Sequence, residues 1–256
     1  MRDALIGGSD MTTNDKITVA VTGACGRMGR MIIDNVAQAL DMVVVAAFDK
    51  QICDPSVTDA TKLANTLNTV KPDVLVDFTV AASSVEIIKA AARAGVRLVV
   101  GTTGFTAEQR AEVKEAVKGQ VAAIISPNFS IGVNVFFQLI KTASESLPSA
   151  AYAAELIEAH HKHKIDAPSG TAVKAIDIIK SVDRSRTIGS YSIRAGDIVG
   201  DHSVLFIGDG ERLEIIHRAH SRQAFASGAM LAIRFIVKQP PGVYSMDDLM
   251  ASMSVS

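Results

Sequence analysis

The chain has 256 residues, 48% hydrophobic and 21% charged, enough to bury one large core or two smaller ones. With 26 basic and 27 acidic side chains the formal net charge is -1, which excludes the charge excess expected of nucleic-acid or membrane-surface binding. Two cysteines, Cys25 and Cys53, are too few for a disulfide scaffold and point to a reducing, cytoplasmic setting; no apolar run reaches the roughly 18 residues of a membrane span, and the start carries no basic-then-apolar leader pattern.

Residues 1–15 are polar and rich in Gly, Ser and Thr, and read as a flexible tail. Residues 17–22 form an apolar, β-branched run, a buried strand. Helical spacing follows over 27–40 in Met28, Met31, Ile32, Val36 and Leu40. The pattern then predicts a strand at 42–48, a weak helix at 57–70, and strands at 74–78, 96–100 and 121–126 with helices at 83–94 and 107–118 between them. Short apolar strands alternating with helices predict an α/β fold, a doubly wound parallel sheet covered on both faces. After Asn128 the rhythm changes. Helices are predicted at 132–147, 170–182 and 225–237, and strands at 190–194, 203–207 and 212–217, joined by short turns such as Gly208-Asp209-Gly210 that suggest antiparallel pairing. Pro240-Pro241-Gly242 ends the last helix. The second part, 130–239, is therefore a smaller α+β domain beside a first domain at 16–129.

The first strand runs into Gly23, Ala24, Cys25, Gly26, Arg27, Met28 and Gly29, then a helix. Glycines at that turn allow close backbone approach, and the helix start offers free N–H groups to a pyrophosphate. Asp49, twenty residues past Gly29, ends the second strand, where a carboxylate accepts both ribose hydroxyls of an adenosine. The blander reading, glycines used only for tight packing, does not account for the acid. Cys25 reads as a small side chain tolerated in the turn. Gly101, Thr102 and Thr103 follow the fourth strand and Ser126, Pro127, Asn128 and Phe129 the fifth, so both loops belong at the same carboxyl edge of the sheet.

Residues 158–171 hold the densest chemistry: three of the six histidines, His160, His161 and His163, with Lys162 and Lys164, then Ser169, Gly170 and Thr171 opening a helix. Histidine titrates near neutrality, lysine supplies a fixed cation, and hydroxyls with free N–H groups at a helix start bind anions. This predicts a pocket for a small dianionic acid. A solvated basic loop capped by Ser169 is the plain alternative. A metal site is not expected, because the cysteines are distant and the lysines would repel a cation.

The string Glu158 to Thr171 resembles the signature E-x-H-H-x-x-K-x-D-A-P-S-G-T of the 4-hydroxy-tetrahydrodipicolinate reductase (dihydrodipicolinate reductase) family, and residues 23–29, 101–104, 128–134 and 242–246 resemble its other motifs. The resemblance spans roughly 17–253. It implies reduction of 4-hydroxy-2,3,4,5-tetrahydrodipicolinate in the diaminopimelate route to lysine, with His160 at the proton-donor position and Lys164 at the second catalytic position. It puts His161, Gly170 and Thr171 at the substrate carboxylates, and residues 23–28, Asp49, Lys50, 101–103 and 126–129 at the cofactor. It also implies that 240–256 returns to the dinucleotide domain, and that the second domain builds a homotetramer. Two domains with a hinge near Phe129 and Gln239 suggest closure over the cofactor. Segment 50–72 is short for the family, which implies a trimmed loop and helix after the second strand. Asp49 favours NADH, while Lys50 and Arg27 suit the 2′-phosphate of NADPH, so both cofactors are expected. The alternatives are another two-domain NAD(P)-dependent dehydrogenase acting on an amino acid or semialdehyde, which would lack the double histidine, and a dinucleotide sensor, which would lack the filled catalytic loop.

Overall fold

The computed structural model describes residues 16–253; the tail expected at 1–15 lies outside the described residues. Five strands follow the apolar runs, β1 (Ile17–Thr22), β2 (Met42–Asp49), β4 (Val74–Asp77), β5 (Arg97–Val100) and β6 (Ala122–Ile125), and a short sixth, β3 (Val57–Asp59), lies between the second and third of them. They alternate with α1 (Arg27–Gln38), α2 (Leu63–Val70), α3 (Ala81–Arg93) and α4 (Ala107–Val117). Strand side chains point to opposite faces in turn, and both faces are apolar here. Val19 and Val21 join the core on the α1 side, whereas Ala20 packs with Phe48, Leu75 and Leu98 on the side of α2 to α4.

The second part contains α5 (Ile131–Ser146), β7 (Ala153–His160), α6 (Gly170–Val182), β8 (Ile188–Arg194), β9 (Gly200–Gly208) and β10 (Glu211–Ala219). Its sheet has the order β10-β9-β7-β8. β9 is antiparallel to both neighbours, but β7 and β8 are parallel. The sheet is thus mostly antiparallel, as the turns suggest; β8 is the exception, because α6 crosses over between β7 and β8 and returns the chain in the same direction. Phe136 and Ile140 of α5 and Ala172 and Ile179 of α6 cover one face against Leu156, Val204 and Phe206. The other face exposes Ile157, Tyr191, Ile193 and Ile216.

The chain ends with α7 (Gln223–Ile236), β11 (Gly242–Tyr244) and α8 (Met246–Met253). β11 pairs with β6, completing an all-parallel sheet of order β11-β6-β5-β4-β1-β2-β3. α7 differs from the sequence expectation, which gave 130–239 wholly to the second domain. Its Ala226, Ala229, Met230 and Ile233 sit in the first core with Ile32, Val36 and Val99. Arg234 clamps Asp41 through Nε (2.7 Å) and Nη2 (2.9 Å), fixing α7 beside α1. The return crossing accordingly lies between β10 and α7, not near Gln239. Segment 57–70 also differs: Val57 packs with Ala24 and Ala47 as an edge strand, and Asp59 caps a 3-10 turn through the Thr61 N–H before α2 begins. Among the described residues no helix is long and apolar enough to cross a membrane.

Strand order reverses between β2-β1 and β4, and ligands of such sheets lie beyond the carboxyl ends at that point. Thr22 pairs with both Phe48 and Asp77, so Gly23, Asp49 and Phe78 emerge side by side.

Candidate active site

Gly23 has φ +74°, and a Cβ there would stand 2.6 Å from the Phe78 carbonyl oxygen; a Cβ on Gly29 would stand 2.0 Å from the Gly23 oxygen. Only glycine lets α1 start this close to the turn. Gly26 caps α1 with no side chain, leaving the first N–H groups of the helix, at Arg27 and Met28, to an external acceptor. Asp49 Oδ2 accepts from the Cys25 N–H (2.9 Å) and Oδ1 from the Gln51 N–H (3.2 Å), so its carboxylate is fixed at the rim of the turn. Gly23, Gly26, Asp49, Lys50, Phe78 and Thr79 line a cleft of about 270 Å³. An uncapped helix start, a turn that admits no Cβ and a fixed acid fit a dinucleotide.

The cysteines are not the separate thiols that their number suggested. Cys25 and Cys53 form a disulfide 28 residues apart in sequence, tying the glycine turn to the β2–β3 loop. Composition carries no information on pairing; the return of that loop over the turn brings the two together.

Two of the expected cofactor loops are held from within. Buried Asp77 accepts from the hydroxyls of Thr22 (2.8 Å), Thr79 (2.7 Å), Thr102 (3.0 Å) and Ser84. Thr102 therefore spends its side chain on the loop, leaving Gly101 and Thr103 flanking it at the edge. Phe129 is 1% exposed and packs on Phe78 with ring centroids 5.9 Å apart, so its side chain belongs to the core and not to a cofactor surface. In the same loop Ser126 Oγ donates to the Asn128 carbonyl (2.8 Å), Pro127 is exposed, and Asn128 Nδ2 donates to Thr171 Oγ1 (3.2 Å).

In β7 the alternation puts Leu156, Glu158 and His160 on the covered face. His160 Nδ1 lies 2.5 Å from Glu158 Oε2, and Arg194 at the end of β8 donates Nη1 to Oε2 (2.9 Å) and Nη2 to Oε1 (2.7 Å). Burial lowers His160 below the usual histidine range; Glu158 opposes this, and the Lys164 and Arg194 charges add to it. Lys164 is paired with Asp166 at 2.7 and 2.9 Å, so it is a held cation and not a free one. Ser169 departs from its expected role. It is 1% exposed, its Oγ accepts from the Ala172 N–H (3.2 Å), and it is bonded to His202 Nε2 (3.1 Å), so the hydroxyl caps α6 and does not face a ligand. Burial, with the His160 charge, pushes His202 down to about 3 and keeps it neutral. Gly170 and Thr171 stay open at the helix start. His161 is lowered by burial and then by Arg222 and Arg27, which brings the glycine turn and the histidine loop into one electrostatic neighbourhood.

Glu158 and Asp166 stand at constrained positions of the signature quoted above, but the sequence assigns them no role; Arg194, His202 and Asp77 lie outside every motif. The core-facing position of Glu158 on an alternating strand is the local signal for its task.

A glycine turn and a fixed acid at the switch point of a parallel sheet, joined through Asn128 and Thr171 to the histidine-rich loop of a second, smaller unit, fit a two-domain pyridine-nucleotide-dependent oxidoreductase. Residues 17–129 match the family model for the dihydrodipicolinate reductase N-terminus, and residues 132–250 the model for its C-terminus. The chain belongs to the dihydrodipicolinate reductase family. It is 48% identical to the 4-hydroxy-tetrahydrodipicolinate reductase of Methanosarcina barkeri, covering 91% of this chain and 99% of that one. It is 47% identical to the enzyme of that name from Methanothermobacter thermautotrophicus, covering 91% and 98%. Its fold matches a dipicolinate-bound dihydrodipicolinate reductase from Paenisporosarcina sp. TG-14 with TM-score 0.76 and 27% identity, over 90% of this chain and 97% of that one. An amino-acid or semialdehyde dehydrogenase is not favoured.

Proposed function

We propose that this chain reduces 4-hydroxy-2,3,4,5-tetrahydrodipicolinate to 2,3,4,5-tetrahydrodipicolinate, the diaminopimelate-route step of its relatives, with either NADH or NADPH. The observation that carries this reading is the Asn128–Thr171 hydrogen bond, which joins a cofactor-side loop to the open helix start beside the histidines. Residues 23–28, Asp49, Lys50, Gly101, Thr103 and 126–128 hold the cofactor, with Lys50 and Arg27 available to a 2′-phosphate. His161, Gly170 and Thr171 hold the two substrate carboxylates, with Ser169 acting through the cap. Loss of the 4-hydroxyl as water leaves a conjugated cyclic imine. The reduced nicotinamide, when bound, supplies the hydride, for which ring carbon 4 is the acceptor. His160 gives a proton to the negative charge that develops along the conjugated system, and Lys164, drawn from Asp166 by the dianion, stabilises that charge.

The open apolar face of the small sheet, with Ile157, Tyr191, Ile193 and Ile216, supports self-association into a homotetramer. The direct test is the fall in 340 nm absorbance when substrate is generated in situ with reduced cofactor. No oxidation above the background rate, with either cofactor, overturns the reading.

A further inference from the structure

His160 has two ring nitrogens and sits almost buried on a sheet face, where no bulk water chooses between them. A carboxylate can only accept, so Glu158 Oε2 at 2.5 Å requires a proton on Nδ1. Nε2 is then the nitrogen left for a ligand. It lies over Gly200, where a Cβ would stand 3.1 Å away, so the absent side chain keeps that nitrogen clear. Glu158 is itself over-determined: besides His160 and the two-pronged Arg194 clamp, Oε1 accepts from the Ser169 N–H (3.3 Å). Arg194 also donates to the Asp166 carbonyl (2.5 Å), so one guanidinium ties β7, β8 and the β7–α6 loop together.

We propose that Glu158 and Arg194 are positioning residues for His160: the carboxylate fixes the ring with its proton on Nδ1 and supports the imidazolium, and Arg194 keeps that carboxylate ionised and in place. This rests on the reading of His160 as proton donor. Glu158 is fully buried, which raises its carboxyl, yet Arg194, Ser192 and His160 outweigh burial and hold it at about 2. The groups facing His160 are Glu158 on its own strand, Lys164 from the loop, Arg194 from β8 and the neutral His202 of β9, whose ring is 5.1 Å away edge-on with His217 of β10 behind it. Glu158 is the anion in this set; Lys164 and Arg194 oppose the imidazolium. A buried ion pair kept only for stability has no reason to touch the histidine, since such pairs contribute little net stability.

The test is a matched pair of variants, Glu158→Gln and Arg194→Gln, read by the pH profile of kcat and by 15N NMR of the histidine rings. Glu158→Gln is expected to lower kcat at pH 7 by about 10–100-fold, the range of general acid catalysis, with substrate KM and cofactor Kd changed by less than about threefold. The limb that reports protonated His160 moves down by about one pH unit. Arg194→Gln frees the Glu158 carboxylate to rotate or take up a proton, so it is expected to lower kcat as well and to move the limb down by less than Glu158→Gln does, because loss of a repelling cation offsets part of the effect. A uniform loss of kcat in both variants, with the limbs and the NMR titration of His160 both unmoved, overturns the proposal in favour of a structural ion pair. If neither variant folds, the unsubstituted protein decides: 15N shifts with the neutral ring protonated on Nδ1 support the proposal, and protonation on Nε2 overturns it. If Glu158→Gln shifts the NMR titration of His160 but leaves the kcat profile in place, positioning stands and the proton-donor assignment fails.

Discussion

The Cys25–Cys53 disulfide closes a loop of 28 residues around β2 and the adenosine-side rim. In the chain-entropy account that closure restrains the unfolded state by about 12 cal/mol/K, or about 3.6 kcal/mol at 25 °C. The native β1–β2 pairing and the Asp49 hydrogen bonds to Cys25 and Gln51 persist without it, so the loss falls on stability more than on the shape of the site. Cys53→Ser is expected to lower Tm by about 7–14 °C at this chain length. Dithiothreitol should lower Tm of the unsubstituted protein by a similar amount and leave Cys53→Ser unchanged. Cofactor Kd should change by less than about threefold, a difference of under about 0.7 kcal/mol. Scanning calorimetry with and without reductant, beside a thiol count in denaturant, reads all of this. Two titratable thiols in protein that has never met reductant, with Tm unmoved in Cys53→Ser, would refute the bond and the entropy argument with it.

His160→Gln should lower kcat by about 100-fold and leave cofactor Kd intact, and full activity would remove His160 from the reaction. Lys50→Ala should weaken NADPH and spare NADH, with the unsubstituted protein using both within about tenfold in kcat/KM, or about 1.4 kcal/mol; an equal effect on the two would refute the role of the exposed Lys50 beside Asp49. Gly228→Ala puts a Cβ 1.7 Å from the Phe129 carbonyl oxygen, so α7 must retreat from the crossing. Overpacking of about 1–3 kcal/mol should outweigh the helix-propensity gain, and an unchanged or raised Tm would refute the close approach. Burial drives His202 from 6.5 to about 3, so the unfolded chain binds its proton first as pH falls. Stability is full above pH 6.5 and lost below it, by about 2 kcal/mol at pH 5 from this group alone. Denaturant midpoints that stay flat from pH 7 to 5 would contradict it.

Much of the candidate site was legible because its parts are local. The turn 23–29 is a glycine pattern set between a strand and a helix, and the Glu158–Thr171 string carries its chemistry in consecutive residues. Asp49 was found by its distance from the glycines, and α6 by apolar spacing whose bounds, 170–182, the structure repeats. What stayed hidden was the use each side chain is put to. Ser169 was placed in an anion site, with capping as its plain alternative, and Thr102 in a cofactor loop; their partners, His202 and Asp77, lie 33 and 25 residues away and could not be named from sequence.

The amino-acid order by itself determined most of the elements, though not β3, β7, β11 or α8, because periodicity of 2 or 3.6 and turn chemistry are properties of neighbouring residues. It likewise determined the parallel character of the first sheet, because strands apolar on both faces demand cover on both. The tertiary structure alone decided which surfaces meet. α7 advertises a buried face of small residues without naming its partner, and it chose the first core, where Gly228 meets the Phe129 carbonyl and Arg234 meets Asp41. β8 became parallel because α6 carries the chain across the sheet. The Cys25–Cys53 bond and the Glu158–Arg194 clamp, 28 and 36 residues apart, exist because separate loops and strands return to one place. Such contacts depend on the closure of the whole chain, which no local pattern encodes.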